Sequence, residues 1–193
     1  MKVKHISIAV DPEQTGNPVF GAPADLTAYI LEPVEGITDK KRPAVLLCPG
    51  GGYHKLSGRE DQPIAMKYLA AGFHVFVLHY SLVPDVFPRA LMELALSMKL
   101  IREHGNEWNV DVKRIAVSGF SAGGHLACCL GTFWNKEWLY KALEVKPEMI
   151  QPNGMILCYP VITSEEYCHK GSFECLMGTE ASKKDVELRR LLS

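Results

Sequence analysis

Between Ile115 and Leu130 the chain reads IAVSGFSAGGHLACCL. Ile115 to Ser118 is a short apolar run of strand type, and Ala122 opens a helical run through Leu130. The five residues between the two elements, Gly119-Phe120-Ser121-Ala122-Gly123, form a G-x-S-x-G. A turn this tight forces the serine into a strained backbone conformation, and side chains two places to either side would collide. Glycine at 119 and 123 removes that collision and leaves the Ser121 hydroxyl raised at the carboxyl end of a sheet. The helix N-terminus beneath it favours developing negative charge. Ser121 is therefore the candidate nucleophile. A glycine-rich turn without chemistry is the alternative, and the strand before the pentapeptide and the helix after it argue against that.

Working outward, Ala44 to Cys48 is a fully apolar strand of the kind buried on both faces, and it runs into Pro49-Gly50-Gly51-Gly52-Tyr53. Glycines let a backbone turn its N–H groups toward a reacting oxygen, and each such donor is worth about 3 kcal/mol to an oxyanion. Gly51 and Gly52, with the N–H of Ala122, are the expected donors, a choice open by one residue among the three glycines. A phosphate-binding loop is the competing reading, but neither G-x-x-x-x-G-K-[ST] nor G-x-G-x-x-G spacing is formed. Tyr53 and His54 follow the loop and are candidates to line a substrate pocket, with Tyr159, Tyr167 and Phe173 as further guesses from proximity.

The remaining elements follow from periodicity and turn residues. Strands are expected at Val3 to Val10, at Leu26 to Glu32 (ended by Pro33 and Gly36), at Phe73 to Tyr80 and at Met155 to Tyr159. Asp11 to Pro23 reads as a loop or hairpin connection. Helices are expected at Gln62 to Ala71, from Pro88 to about Asn106, and from Ser182, as N-cap, to Leu192. Strands that alternate with helices imply a mostly parallel sheet with right-handed crossovers. Residues 1–193 read as one domain, with 164–192 forming cap or insertion helices.

Composition fits a globular domain with a real core: 47% hydrophobic, 22% charged, formal net charge −1. Lys and Arg are scattered, so no nucleic-acid partner is expected. No run of 18 apolar residues marks a membrane span, and no signal segment opens the chain. The six cysteines form no C-x-x-C, and several lie in apolar runs, so a reduced cytoplasmic protein is expected.

Apolar strand and PGGGY, then YSLVPDVFP at Tyr80–Pro88, then GFSAGGHLA, in that order, resemble the acetyl esterase/lipase group of α/β hydrolases. That group includes hormone-sensitive-lipase-like enzymes and xylan-debranching esterases. Pro49 stands where many members have histidine, and the GFSAGGHLA form is most similar to the acetylxylan-esterase-like branch. The resemblance spans about residues 26 to 192. It implies a three-layer α/β-hydrolase fold and a serine carboxylic-ester hydrolase for short acyl esters, often acetyl groups on sugars such as xylo-oligosaccharides. It also implies no metal and no organic cofactor, an acyl-enzyme on Ser121, and oxyanion donors in the Gly50–Gly52 loop and at Ala122.

The sequence departs from the group in its base. A serine hydroxyl needs a histidine oriented by a carboxylate, and after Ser121 only His125 and His169 remain. The group carries its acid and histidine on loops after a seventh and an eighth strand, whereas six strands are counted here. The chain is thus expected to be the N-terminal portion of a longer esterase, C-terminal strands missing. His125 is expected to pack in the interior, and His79 to be structural. His169 has a small claim on the site, and His54 is as readily a solvated loop residue as a pocket one. Asp61, Asp85 and Glu93 are expected to be surface or capping carboxylates. The strand at Met155 to Tyr159 would be an apolar edge, which invites pairing with another chain, and a dimer or soluble aggregate through that edge, or partial unfolding, is expected. Two other functions stay open: amide hydrolysis by a formamidase or small peptidase, and a non-catalytic binding module on the same fold.

Overall fold

The computed structural model describes residues 1–33 and 40–193; the strand stop expected at Gly36 lies outside them. In chain order the strands are β1 (Lys2–Ile8), β2 (Ala24–Ile30), β3 (Arg42–Cys48), β4 (His74–His79), β5 (Val110–Phe120) and β6 (Gly154–Cys158). The helices are α1 (Pro12–Thr15), α2 (Gln62–Ala70), α3 (Arg89–Glu103), α4 (Ala122–Phe133), α5 (Glu137–Ala142), α6 (Pro147–Ile150), α7 (Lys170–Met177), α8 (Thr179–Lys184) and α9 (Val186–Leu191).

One sheet carries all six strands in the order β1-β2-β4-β3-β5-β6. β2 is antiparallel to both β1 and β4, and the other pairs are parallel. Both faces of the centre are dry, and the pleat sorts the side chains. Leu46, Phe76, Leu78, Leu26 and Ala28 point into one core with residues of α3 and α4. Leu47, Val75, Val77 and Tyr29 point into a second core under Ala65 and Leu69 of α2. This is the period-2 alternation of a strand covered on both sides, and it makes the three layers of an α/β hydrolase.

The structure changes several expectations at element ends. β5 begins at Val110, five residues before the apolar run. α3 begins after Pro88, which occupies the N-cap position, and stops at Glu103. The tail is two helices, not one. Ser182 is buried inside α8, its hydroxyl donating to the Thr179 carbonyl (2.9 Å). Asp185 is the residue that caps α9, accepting the Leu188 N–H at 2.8 Å. The short helices α1, α5 and α6 lack a periodic apolar stripe long enough to read from sequence.

Asp85 and Glu93 are not surface carboxylates. Both are buried around Arg89, whose Nη1 lies 2.6 Å from Asp85 Oδ1 and whose Nε lies 3.0 Å from Glu93 Oε1. Glu93 also accepts from the backbone N–H of Ser81 at 2.7 Å, which fastens the end of the YSLVPDVFP segment to α3. Asp61 pairs with His79 Nε2 at 2.6 Å. His79 is thus a structural hydrogen-bond partner of Asp61 at the end of β4.

Candidate active site

The elbow is as tight as the spacing requires. Ser121 sits between β5 and α4 at φ 51°, ψ −117°, a region an L-residue occupies at a cost of about 1–3 kcal/mol. A Cβ on Gly119 would run into the Gly123 carbonyl, and one on Gly123 into the carbonyls of Cys48 and Pro49. The two glycines therefore let the turn lie against the end of β3. Ser121 itself is pinned through its backbone. Its N–H donates to the Cys158 carbonyl (3.0 Å), and its carbonyl accepts from His125 (3.0 Å) and Val161 (3.2 Å). Ala122, buried, carries the first N–H of α4, a donor with no partner inside the helix by geometry.

The glycine loop leaves β3 and passes directly over this turn. The position of a Cβ on Gly50 would be 3.1 Å from Ser121 Cβ and 2.6 Å from the Phe120 carbonyl. Gly51 (φ 133°), Gly52 (φ 69°) and Tyr53 (φ 60°) follow with left-handed backbone. The start of the loop is held by two bonds. Gly50 N–H donates to Glu60 Oε2 at 2.9 Å, and the Tyr80 hydroxyl donates to the Pro49 carbonyl at 2.7 Å. Glu60 takes the Gly50 N–H; among the described residues no acceptor takes the N–H of Gly51 or Gly52.

The histidines are engaged elsewhere. His125 is 4% exposed, and its Nε2 donates to the Leu192 carbonyl at 2.7 Å. Its Nδ1 is therefore the bare nitrogen and accepts the Tyr53 hydroxyl at 2.7 Å. Burial holds His125 below its ordinary value, the bond to Leu192 opposing only in part, so it is neutral. It packs in the interior, as expected for a residue one turn beyond Ser121. His169 caps α7, its Nδ1 accepting the Ser172 N–H. Among the described residues, no side chain is hydrogen-bonded to the Ser121 hydroxyl.

The pocket candidates separate. Tyr53 is 3% exposed and Phe173 4%, so both are packing residues, and Tyr53 serves the loop from behind. His54 is exposed with its ring against Gly52. Tyr167 is exposed in the segment before α7. Tyr159, next to Cys158 and hence to Ser121, is exposed with its hydroxyl 2.8 Å from Glu60 Oε1. Glu60 is the residue that sequence reasoning missed. It sits in a polar run before α2, and nothing in its spacing says that one carboxylate reaches both the glycine loop and the end of β6. A cleft of about 420 Å³ between α7 and α9, lined by Ser164, Lys170 and Arg189 among others, does not include Ser121.

Among the described residues, no group of three His, Cys, Asp or Glu is placed to hold a metal ion. No helix of theirs is long and apolar enough to cross a membrane.

Comparison with known proteins identifies the family and agrees with the fold. The chain is 33% identical over 177 residues to endo-1,4-beta-xylanase B of Butyrivibrio fibrisolvens, a match covering 88% of this chain and 26% of that one. It is 30% identical over 142 residues to the acetylxylan esterase of Xylanibacter ruminicola, covering 72% and 27%. The chain thus spans about a quarter of the length of these two curated relatives. Its fold matches the crystal structure of an acetyl ester-xyloside bifunctional hydrolase from Caldicellulosiruptor lactoaceticus with a TM-score of 0.74 at 30% identity, over 91% of this chain and 63% of that one. The BD-FAE family model matches residues 33–159, from just after β2 to Tyr159, with the glycine loop and the Ser121 turn inside the match. On that match, and on the sheet and helices that carry it, the chain belongs to the BD-FAE family of α/β hydrolases.

Proposed function

We propose that the protein is a serine esterase for short acyl groups, chiefly acetyl, carried on carbohydrates such as xylo-oligosaccharides. The strained backbone of Ser121 carries this reading. Strain of about 1–3 kcal/mol persists only where surrounding structure enforces it, and such positions cluster at functional sites. In this reading Ser121 Oγ attacks the ester carbonyl and gives its proton to a general base, which returns it to the departing sugar oxygen. The carbonyl oxygen becomes an oxyanion held by the N–H groups of Ala122, Gly51 and Gly52. Collapse expels the sugar hydroxyl and leaves an acyl-serine, which water cleaves to the free acid. The acetylxylan esterase and the acetyl ester-xyloside hydrolase among the similar proteins support the choice of acyl group and sugar. The six cysteines form no C-x-x-C pair and several lie in apolar runs, which fits a reducing compartment such as the cytoplasm.

Activation of Ser121 needs a proton acceptor. His125 has both ring nitrogens committed, His169 caps a helix, and His54 is exposed at the loop, so the reading requires a base besides these three. That commitment favours, as a second reading, a binding module that keeps the fold without turnover. Against it stands the elbow itself, which a binding scaffold has no need to strain.

The test is hydrolysis of p-nitrophenyl acetate, with fluorophosphonate labelling, by the chain and by Ser121→Ala. Turnover or labelling that disappears in Ser121→Ala supports the reading and requires a base within these residues or from a partner copy. A folded chain that neither turns over nor labels at Ser121 leaves the binding reading. An ester and amide panel separates esterase from formamidase or peptidase.

A further inference from the structure

Tyr159 has three properties that do not ordinarily occur together. Its backbone is at φ 36°, a conformation in which a bulky side chain is a genuine outlier. Its side chain is 66% exposed, so core packing does not account for that backbone. Even so, the ring is held still. The hydroxyl donates to Glu60 Oε1 at 2.8 Å, and the ring sits edge-on to Phe120 with centroids 5.8 Å apart. The neighbouring Cys158 carbonyl accepts the Ser121 N–H, and Glu60 Oε2 and Ser121 Cβ lie 2.6 and 3.1 Å from the position a Cβ on Gly50 would take, so the Tyr159–Glu60 pair borders the Ser121 turn.

A rigid, exposed aromatic ring next to a carboxylate suits one class of ligand. The face of a pyranose presents a patch of C–H groups whose positive edge complements the negative face of an aromatic ring. Its hydroxyls need acceptors, and each Glu60 oxygen keeps lone-pair capacity after accepting from Gly50 or Tyr159. Tyrosine offers such contact area with little rotamer entropy to lose, and the bond to Glu60 has already removed most of that freedom. Resting on the esterase reading, we propose that Tyr159 and Glu60 form the subsite for the sugar of the acylated substrate. The pyranose stacks on the Tyr159 ring, with one hydroxyl donating to Glu60. The ester then lies over Ser121, and the same carboxylate keeps Gly50, and with it the oxyanion loop, in place.

Binding is tested without catalysis, on Ser121→Ala, by saturation-transfer NMR with unacetylated xylobiose. Transfer to the sugar's ring protons is expected, with affinity about tenfold weaker in the Tyr159→Ala background and partly restored in Tyr159→Phe, which keeps the ring. In the catalytic protein the ratio of kcat/KM for acetylated xylobiose to that for p-nitrophenyl acetate falls about tenfold in Tyr159→Ala. Sugar binding unchanged by Tyr159→Ala, or absent in the folded Ser121→Ala chain, overturns the subsite. Binding that depends on Tyr159 in a chain with no Ser121-dependent turnover retains the subsite and overturns the esterase reading instead.

Discussion

The hydroxyl of Tyr53 and Nδ1 of His125 stand 2.7 Å apart in the interior, and this bond fastens the glycine loop to the helix that starts beneath Ser121. His125 in turn donates to the carbonyl of Leu192, so the loop, α4 and the end of α9 share one chain of polar contacts. Tyr53→Phe keeps the ring packing and removes the donor. It leaves a buried imidazole nitrogen unpaired, at a cost of about 1–3 kcal/mol. Each kcal/mol lowers the melting temperature of a protein this size by about 2–4 °C. In the proposed reaction kcat falls more than KM rises, because the loop amides act on the oxyanion. A melt within 1 °C of wild type, as an approximate limit, would show that the bond contributes nothing.

Three histidines give the stability a pH dependence with a definite sign. Burial depresses His125 and His74 in the folded state. Each therefore contributes stability that is full above the unfolded value of about 6.5 and is lost as pH falls through the range below it, where only the unfolded chain takes up the proton. His79 runs the other way. Its bond to Asp61 raises it, so its contribution is full below about 6.5 and fades as pH rises through the folded value. His79 is 38% exposed and is screened, so of these three the two buried histidines dominate; burial also raises Glu93, whose contribution fades as pH rises and makes the net drop shallower. The melting temperature should drop from pH 7.5 to pH 5.5, and His79→Gln should steepen that drop. A flat profile, or a shallower one in His79→Gln, contradicts the assignment.

How far this site could be read from sequence depends on whether a feature is local. Ser121, Gly119 and Gly123 are legible because one tight turn sets all three, and the strand and helix flanking it are adjacent in the chain. The glycine loop is legible for the same reason, as is the six-strand sheet, whose central strands are unbroken apolar runs. Long-range contacts are not legible. Glu60 reaches Tyr159 across 99 positions, and Asp85, Arg89 and Glu93 look like solvated helix charges until the fold encloses them. Tyr53 misled for a related reason. Its place after the glycines suggested a pocket, but its positive φ turns the side chain inward, toward His125.

The strain at Ser121 can be measured against its own relief. Glycine occupies φ 51°, ψ −117° without the Cβ penalty, whereas alanine keeps it. Ser121→Gly should therefore be more stable than Ser121→Ala by about 1 kcal/mol, although neither retains the hydroxyl. Gly123→Ala supplies the opposite case, because its Cβ meets two backbone carbonyls that cannot move aside cheaply. Gly154→Ala has nothing within 4 Å of the new carbon and should change stability by no more than about 0.5 kcal/mol. Denaturant melts of the four variants order them. Equal stability of the glycine and alanine forms at 121 would remove the strain argument, and with it the main support for the serine reading.

The remaining prediction concerns β6. Among the described residues it pairs only with β5, and its apolar side chains are open: Met155 is 46% exposed and Ile156 38%. An unpaired, apolar strand edge has backbone donors and acceptors that another strand can satisfy. A second copy supplies the same edge, and a two-fold axis lets the two edges pair reciprocally. We propose that the chain self-associates through β6. Sedimentation equilibrium should give a dimer, and Ile156→Lys should return it to monomer, because charge at an edge opposes pairing. The melting temperature of Ile156→Lys should then lose its dependence on protein concentration, since only the dimer couples folding to association. A wild-type monomer at high concentration, or a dimer that Ile156→Lys leaves intact, assigns the edge no part in assembly.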